Sequence, residues 1–185
     1  QIAKPAVVSI EAVDTSNPVK TTTRTGTGFN VDPAGIIITN EHIVAGSGTI
    51  TITFESGQKF YANHYEQVPG YDLVVIRLNS TGLPAISLGG KEDLQVGATV
   101  TIIGNPLGFQ KIAQRGKVAG YSNNQSGPRI LAIQLPINPG NSGSPVINGQ
   151  AQVVGIVYAS AHREVDGSSE PLALAIPTAV LDGQL

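Results

Sequence analysis

A serine on a glycine-rich turn is the first feature of this sequence that could carry chemistry. Ser142 has glycine at positions 140 and 143, with Pro139 and Pro145 further out. Glycine lets the backbone turn tightly and leaves its N–H groups uncovered. A serine on such a turn can act as a nucleophile, with bare N–H groups beside it for a developing oxyanion. The competing interpretation is a glycine-rich loop with an incidental serine, so the chain must also supply a base and an acid.

The candidate base is one of three histidines, His42, His64 and His162. His42 directly follows the apolar run 36–39, and a strand end can hold an imidazole rigidly while leaving one edge open. The other two histidines lie in polar segments. A single histidine is more often structural or merely exposed. His42 is therefore a good candidate only if other residues of a catalytic site accompany it.

The candidate acid is Asp72, which opens the apolar run 73–78. A carboxylate buried beside such a strand is costly unless it is hydrogen-bonded or paired. The alternative is an aspartate in a turn with its carboxylate in water. The order His42, Asp72, Ser142 is one of the known chain orders of a Ser-His-Asp triad. Agreement of three separate segments by chance is far less probable than any single match.

Short β-branched runs separated by turn residues dominate the elements that would position these side chains. The pattern predicts an all-β barrel or sandwich of roughly a dozen strands, with a short helical turn at residues 40–44 and a possible terminal helix in 179–185. Asn148-Gly149 predicts a two-residue hairpin turn. Residues 160–171 are interpreted as a long polar loop.

Composition excludes several classes of function. The chain has 185 residues, which suits a single domain, and only 13% of them are charged, with a net charge of −2 and no basic block. Nucleic acid is therefore not expected as a partner. With no cysteine and three separated histidines, we expect no metal and no cofactor. No apolar run approaches the roughly 18 residues that a membrane-spanning helix needs.

Taken together, these segments resemble the trypsin-like serine proteases, and most closely the HtrA/Deg family. The resemblance covers nearly the whole chain, and its most specific match is residues 137–143. The other matching segments are residues 5–10, 26–29, 35–44, 72–78, 96–100, 103–108 and 173–177.

The resemblance implies a fold of two antiparallel six-stranded β-barrels with the active site between them. We expect a single protease domain over residues 1–185, with the first barrel at about 1–85 and the second at about 90–178. Family members often carry a PDZ domain after the closing strand. Only residues 178–185 follow that strand here, so we expect no PDZ domain in this chain.

The same resemblance assigns roles to the candidate residues. Ser142 would be the nucleophile, His42 the general base and Asp72 the acid that orients it. The backbone N–H groups of Gly140 and Ser142 would form the oxyanion hole. The expected activity is that of a serine endopeptidase acting through an acyl-enzyme; the alternative is a non-catalytic chaperone or peptide-binding module on a protease fold.

Two departures from the family pattern bear on these roles. Position 144 is serine where the HtrA pattern usually has a second glycine, a feature closer to glutamate-specific secreted proteases. Those enzymes use a histidine in the following strand, where this chain has Val157 and Tyr158, so glutamate specificity is not expected. The chain also lacks the free Ile-Val-Gly-Gly amino terminus that activates digestive enzymes of this type.

In this fold, the primary specificity pocket is lined by residues just before the nucleophile and by the strand after it. The predicted lining residues are Leu135, Pro136, Ile137, Tyr158, Ala159, Ser160 and Leu174. None is charged, and a pocket without an acid cannot compensate a buried lysine or arginine. We therefore predict cleavage after small or medium apolar residues.

Further expectations concern substrates, regulation and location. A peptide added to the edge of residues 157–160 would be held by main-chain hydrogen bonds, which suits extended or unfolded proteins and a role in protein quality control. The loop at 160–171 would switch the oxyanion turn between ordered and collapsed states, or would be plainly solvated. The short segment 1–4 has no aromatic anchor, which favours a monomer over a trimer. The resemblance favours an extracytoplasmic location, in the cell envelope, the periplasm or outside the cell.

Overall fold

The chain folds into two antiparallel sheets that follow one another in sequence. The structure, a computed structural model, describes residues 3–89, 94–104, 111–122, 129–137 and 140–185. The first sheet has seven strands in the order β5-β4-β1-β2-β3-β7-β6. Its strands are β1 (Val7–Asp14), β2 (Thr22–Asn30), β3 (Ile36–Thr39), β4 (Ser47–Thr53), β5 (Lys59–Ala62), β6 (Glu66–Gln67) and β7 (Val74–Arg77).

The second sheet closes on itself as a six-stranded barrel in the order β10-β13-β12-β11-β8-β9, because β9 also pairs with β10. Closure leaves no edge between neighbouring strands and encloses a dense apolar interior. Its strands are β8 (Thr99–Gly104), β9 (Ile112–Ser122), β10 (Ile130–Gln134), β11 (Pro145–Ile147), β12 (Val153–Val165) and β13 (Ser168–Pro177).

The predicted all-β, trypsin-like fold class is confirmed, with one difference in the first unit. Among the described strands, β5 and β6 form the two edges of a curved sheet and do not pair to close it. The edge strand β6 contains only Glu66 and Gln67, both of them exposed. Such a short, polar strand buries too little to hold a further partner.

Alternation of apolar residues places the core. In β1, Val8, Ile10 and Ala12 point into the first sheet, whereas Val7 belongs to a cluster between the two sheets. Phe29 is fully buried in that interfacial cluster with residues of both sheets. The partners that it shares the cluster with include Ile38, Val75, Ile103, Ile147, Ile156 and Ile176. The two sheets are therefore held together by an apolar layer, with the candidate residues at its rim.

Two turn predictions near the second barrel are wrong. The Asn148-Gly149 pair does not make a two-residue turn: the connection spans residues 148–152, because Asn148 Oδ1 accepts hydrogen bonds from the N–H groups of Gln150 and Gln152. Residues 160–171 are not a loop, since β12 and β13 continue pairing out to Val165 and Ser168. An ion pair of 2.6 Å from Arg163 Nε to Glu170 Oε2 bridges this projecting hairpin.

Helices are short throughout the described chain. The helical turn predicted at residues 40–44 is α1 (Glu41–Val44), between β3 and β4. The predicted terminal helix takes the form of a 3₁₀ turn at Thr178–Leu181. A further 3₁₀ turn at Lys4–Ala6 leads into β1. None of the helices among the described residues has the length and apolar character needed to span a membrane.

The interfacial cluster gives a stability prediction. Replacing Phe29 by Ala should lower the free energy of unfolding by about 3–5 kcal/mol, because a buried aromatic is lost and a cavity remains. Tyr61→Ala is the control, since Tyr61 is 70% exposed and its loss should change stability by no more than about 0.5 kcal/mol. Urea denaturation measures both. Equal effects for the two variants would contradict the role given to the cluster.

Candidate active site

His42 is presented by the short helix that follows β3. Asn40 precedes α1 in extended backbone, which is the conformation of a helix N-cap, but its side chain does not cap the helix. The Asn40 amide Nδ2 instead donates to the backbone carbonyl of Asp72 at 2.9 Å. Since Asn40 is fully buried, this bond fixes the start of the histidine segment against the start of the aspartate segment.

The Asp72 carboxylate forms two hydrogen bonds with His42. Its Oδ2 lies 2.5 Å from the imidazole Nδ1, and its Oδ1 accepts the backbone N–H of His42 at 2.9 Å. An ionised carboxylate can only accept, so Nδ1 carries the hydrogen of this bond. The neutral ring then has Nε2 as its free acceptor. This tautomer and orientation are what a general base toward a serine hydroxyl requires.

Burial around the pair is partial. The His42 side chain is 49% exposed and that of Asp72 is 27% exposed, so substrate can reach the ring while the carboxylate is partly shielded. Tyr158 lies near this carboxylate. Its burial, with the charge of Asp72 as a second cause, raises the pKa of the Tyr158 hydroxyl above its ordinary value. Tyr158 is therefore a neutral phenol beside the His42–Asp72 pair at physiological pH.

Ser142 lies on a tight turn whose glycines have left-handed backbone. Gly140 has φ of +98° and Gly143 has φ of +88°, which side chains disfavour. The N–H of Ser144 closes the turn on the carbonyl of Asn141 at 3.0 Å. The N–H of Gly143 also donates to the Val157 carbonyl at 2.8 Å, which ties the turn to β12. Pro139, named with this stretch in the sequence, lies outside the described residues.

The turn is docked on the first sheet, and this brings it to the histidine. The backbone N–H of Thr27 donates to the carbonyl of Ser142 at 2.9 Å. A Cβ built on Gly26 would lie 2.3 Å from Ile43 Cδ1 and 3.2 Å from the Ser142 carbonyl oxygen. Gly26 therefore touches both the residue after His42 and the backbone of Ser142. The structure thus brings the three predicted residues to one place.

The hydroxyl of Ser142 is partly exposed and is not yet joined to the base. Ser142 and His42 both belong to the described residues, and no hydrogen bond connects the hydroxyl to the imidazole there. Catalytic hydrogen bonds are often long in proteins without substrate and shorten in the Michaelis complex. The geometry therefore presents a preformed His42–Asp72 pair beside a serine whose hydroxyl has no hydrogen bond to the imidazole.

Position 144 has a packing explanation. Ser144 is fully buried, and a Cβ on Gly104 would lie 2.8 Å from its Oγ and 2.1 Å from Asn141 Oδ1. Because Gly104 has no side chain, there is room for both polar groups behind the turn. The Asn141 amide also points toward Gln114 Oε1, at 3.5 Å. Ser144 therefore belongs to the support of the turn rather than to a substrate pocket.

The residues predicted to line the specificity pocket differ in burial and fall into three groups. Leu135 is 7% exposed and packs in the core of the second barrel, and Ile137 packs against that core. Ala159 and Leu174 are partly buried and pair across β12 and β13. Pro136 and Ser160 are exposed. Residues 135–137 follow β10, Ala159 and Ser160 lie on β12, and Leu174 lies on β13. Their role in binding substrate stays a prediction.

Tyr158 also lines a small apolar cavity of about 120 Å³ behind the aspartate. A β-bulge at this position lets its side chain depart from the regular alternation of β12. The cavity is lined by Gly70, Tyr71, Asp72, Arg129, Ile130, Tyr158 and Ile176. None of the other predicted pocket residues contributes to it.

Sequence reasoning missed three residues of this site. Asn40, Thr27 and Gly104 lie in segments that match the family, but the sequence gives none of them a role of its own. Asn40, after the end of β3, and Thr27, within β2, are fully buried polar residues, and burial is not readable from one sequence. Gly104 ends an apolar run, and such a glycine often marks close approach of another segment.

The remaining histidines are not part of the site. His64 and His162 are both exposed, on the first sheet and on the projecting hairpin respectively. In the part of the chain that the structure describes, no group of three or more His, Asp or Glu side chains could hold a metal ion.

This arrangement coincides with a match to a known family. The profile of the trypsin-like peptidase domain matches residues 26–156, which contain His42, Asp72 and Ser142. The chain belongs to this family of trypsin-like serine peptidases.

Within that family, its relatives are of the HtrA/Deg type. A probable periplasmic DegP-like serine endoprotease of Chlamydia pneumoniae is 39% identical over 135 residues, covering 71% of this chain and 28% of that protein. The putative serine protease HhoA of Synechocystis is 36% identical over 140 residues, covering 71% of this chain and 36% of that protein. The chain thus spans about a third of the length of the curated relatives it matches.

Solved structures show the same likeness. The HtrA-type protease AlgW with a bound tripeptide superposes with a TM-score of 0.77 at 26% identity, covering 96% of this chain and 58% of that one. The active form of the Rv3671c protease from M. tuberculosis superposes with a TM-score of 0.83 at 25% identity, covering 99% and 80%.

The docking of the turn gives a prediction at Gly143. A Cβ at this position would lie 1.8 Å from the Thr27 carbonyl oxygen, so Gly143→Ala should displace the turn and destabilise the protein. Gly167→Ala is a matched control, because Gly167 has φ of +81° at the hairpin tip and open space around it. Backbone strain alone costs about 1–2 kcal/mol. Thermal and urea unfolding should show a clearly larger loss for Gly143→Ala, and equal losses would contradict the docking.

Proposed function

We propose that this chain is a serine endopeptidase domain that hydrolyses peptide bonds through a Ser-His-Asp triad. The observation that carries the proposal is the pair of hydrogen bonds from His42 to the Asp72 carboxylate, one from Nδ1 and one from the backbone N–H. This pair lies beside the turn of Ser142, which is held against the first sheet. A carboxylate that holds both the ring and the backbone of one histidine fixes its tautomer and its direction. A purely structural ion pair needs no such alignment with an adjacent serine.

In the proposed mechanism, the Ser142 hydroxyl attacks the scissile carbonyl while His42 Nε2 takes its proton. The imidazolium is stabilised by Asp72, which stays ionised, and His42 then protonates the leaving amine. Water then attacks the acyl-enzyme while His42 takes its proton, and His42 returns a proton to the Ser142 oxygen as the carboxylic acid product leaves. The N–H groups of Gly140 and Ser142 would stabilise the oxyanion in both tetrahedral intermediates; each such donor contributes about 10²–10³ in rate in related enzymes.

The proposed substrates are extended or unfolded protein segments. Ala159 and Ser160 of β12 pair only with β13 among the described strands, and Tyr158 lies at a β-bulge, so the other backbone edge of residues 158–160 is open beside Ser142. A substrate strand can add to this edge through main-chain hydrogen bonds, which do not depend on its sequence. Relatives from Chlamydia are named as probable periplasmic serine endoproteases, which supports an extracytoplasmic location. A monomer remains our expectation for the oligomeric state.

The decisive test is Ser142→Ala. Loss of the nucleophile should lower peptide hydrolysis by about six orders of magnitude, as for triad removal in a comparable enzyme. The matched control is Ser168→Ala at the exposed hairpin tip, which should keep wild-type activity. Labelling by a fluorophosphonate should also be lost in Ser142→Ala only. Undiminished proteolysis by Ser142→Ala would refute the proposal, and an unlabelled wild type that still binds unfolded protein would indicate a binding module.

Specificity gives a second test. The predicted lining contains no charged residue, so cleavage should follow small or medium apolar residues such as Val, Ala, Ile or Leu. Mass spectrometry of a cleaved peptide library measures the residue before each cut. Cuts mainly after Arg, Lys or Glu would show that other residues form the pocket.

A further inference from the structure

We propose that Thr27, a residue of the first sheet, is a positioning residue for the oxyanion turn of the second barrel. Its side-chain hydroxyl holds the carbonyl of Gly140 and thereby fixes the Gly140–Asn141 peptide unit, which lies between the two units whose N–H groups, those of Gly140 and Ser142, would stabilise the oxyanion. The inference rests on the proposed peptidase function and adds to it a contact across the two sheets.

Thr27 uses its backbone and its side chain on the active site at once. Its Oγ1 donates to the Gly140 carbonyl at 2.6 Å, and its N–H donates to the Ser142 carbonyl at 2.9 Å. Its own carbonyl accepts the hydroxyl of Thr39 at 2.8 Å. Thr27 is fully buried, so water does not replace these bonds. Two carbonyls of the turn, on either side of Asn141, are therefore fixed from the opposite sheet.

The hydroxyl contact matters because Gly140 is a glycine, whose backbone is intrinsically flexible. Its φ of +98° is open to glycine, but glycine also has many competing conformations. Rotation of the peptide units around Gly140 would turn an N–H away from the site and a carbonyl toward it. The bond to Thr27 Oγ1 holds the Gly140–Asn141 peptide unit, so the units on either side, which carry the N–H groups of Gly140 and Ser142, have one fixed neighbour and less freedom to rotate. Preorganised donors are what makes an oxyanion hole effective.

Threonine suits this position better than other residues that could occupy a strand. A β-branched side chain has few χ1 rotamers, so its hydroxyl is held in one direction. The Thr27 carbonyl also packs against Gly143, where a Cβ would approach it to 1.8 Å. The sheet thus supplies a rigid surface whose only side-chain hydrogen bond to the turn is that of Thr27 Oγ1 among the described residues.

The test removes the hydroxyl and keeps the shape. Thr27→Val retains the backbone bonds and β-branching, and Thr27→Ser retains the hydroxyl. We expect Thr27→Val to lower kcat by about 10- to 100-fold with KM within about threefold, a smaller loss than removal of an oxyanion donor. Thr27→Ser should stay within about threefold of wild type. The control is Thr178→Val, because Thr178 is buried and its hydroxyl has no partner in the described chain.

A second measurement separates positioning from general damage. A peptide boronate forms a tetrahedral adduct with its oxygen in the oxyanion hole, whereas a product peptide does not. Thr27→Val should weaken the boronate by the same factor as kcat and leave the product peptide unchanged. If Thr27→Val does not fold, the comparison of Thr27→Ala with Thr27→Ser decides in the same way.

The outcomes are distinct. A Thr27→Val enzyme with wild-type kcat, or equal weakening of boronate and product, overturns the role of Thr27. A wild-type protein that neither cleaves peptides nor reacts with a fluorophosphonate overturns the proposed function itself. Loss of kcat and of boronate affinity in Thr27→Val, with rescue by serine, supports the inference.

Discussion

The backbone hydrogen bond from the Thr27 N–H to the Ser142 carbonyl joins the two halves of this protein at the point where the chemistry is proposed. The proposed base and acid, His42 and Asp72, belong to the first half, and the proposed nucleophile Ser142 lies between β10 and β11 of the second barrel. Neither half contains a complete site. A small shift between the sheets would separate the serine from the imidazole, so the interface has to be rigid. The apolar layer around Phe29 supplies that rigidity, and the hydrogen bond sets the register.

Three glycines make the close approach of these segments possible, because they have no side chain. Gly26 touches both Ile43 and the Ser142 carbonyl, Gly143 lies against the Thr27 carbonyl, and Gly104 lies behind Asn141 and Ser144. At each of these positions a methyl group would overlap a neighbouring atom. The glycines therefore do more than permit a turn: they let backbone from one sheet pack directly on backbone and polar side chains of the other segments.

The histidine–aspartate pair shows how a strand-rich fold orders an imidazole. Asn40 directly follows β3, and Asp72 lies just before β7. Because β3 and β7 are paired, the backbones of the two residues are already close together. The Asn40 amide holds the Asp72 carbonyl, and the Asp72 carboxylate holds both the ring and the N–H of His42. Each bond restrains a different rotation. The ring direction is thus fixed before any substrate binds.

The sequence alone determined the residues and the class of fold. The apolar runs ending at His42 and beginning at Asp72, and the glycine turn of Ser142, indicated a triad, because buried strands reveal themselves by continuous apolar character. Local turn geometry was less predictable: the connection at residues 148–152 depends on how the Asn148 side chain accepts hydrogen bonds, and the hairpin at 160–171 depends on pairing between distant polar strands.

Only the tertiary structure decided how the site is supported. Thr27, Asn40 and Gly104 act through contacts with residues far away in sequence, and their local patterns resemble those of ordinary strand residues. The same holds for Ser144, which the sequence marked as unusual and packing explains as part of the support behind the turn. A sequence shows which chemical groups are present, because it gives the type of every residue. It does not show how those groups are positioned, because positioning depends on burial and on contacts between segments that come together only when the chain folds.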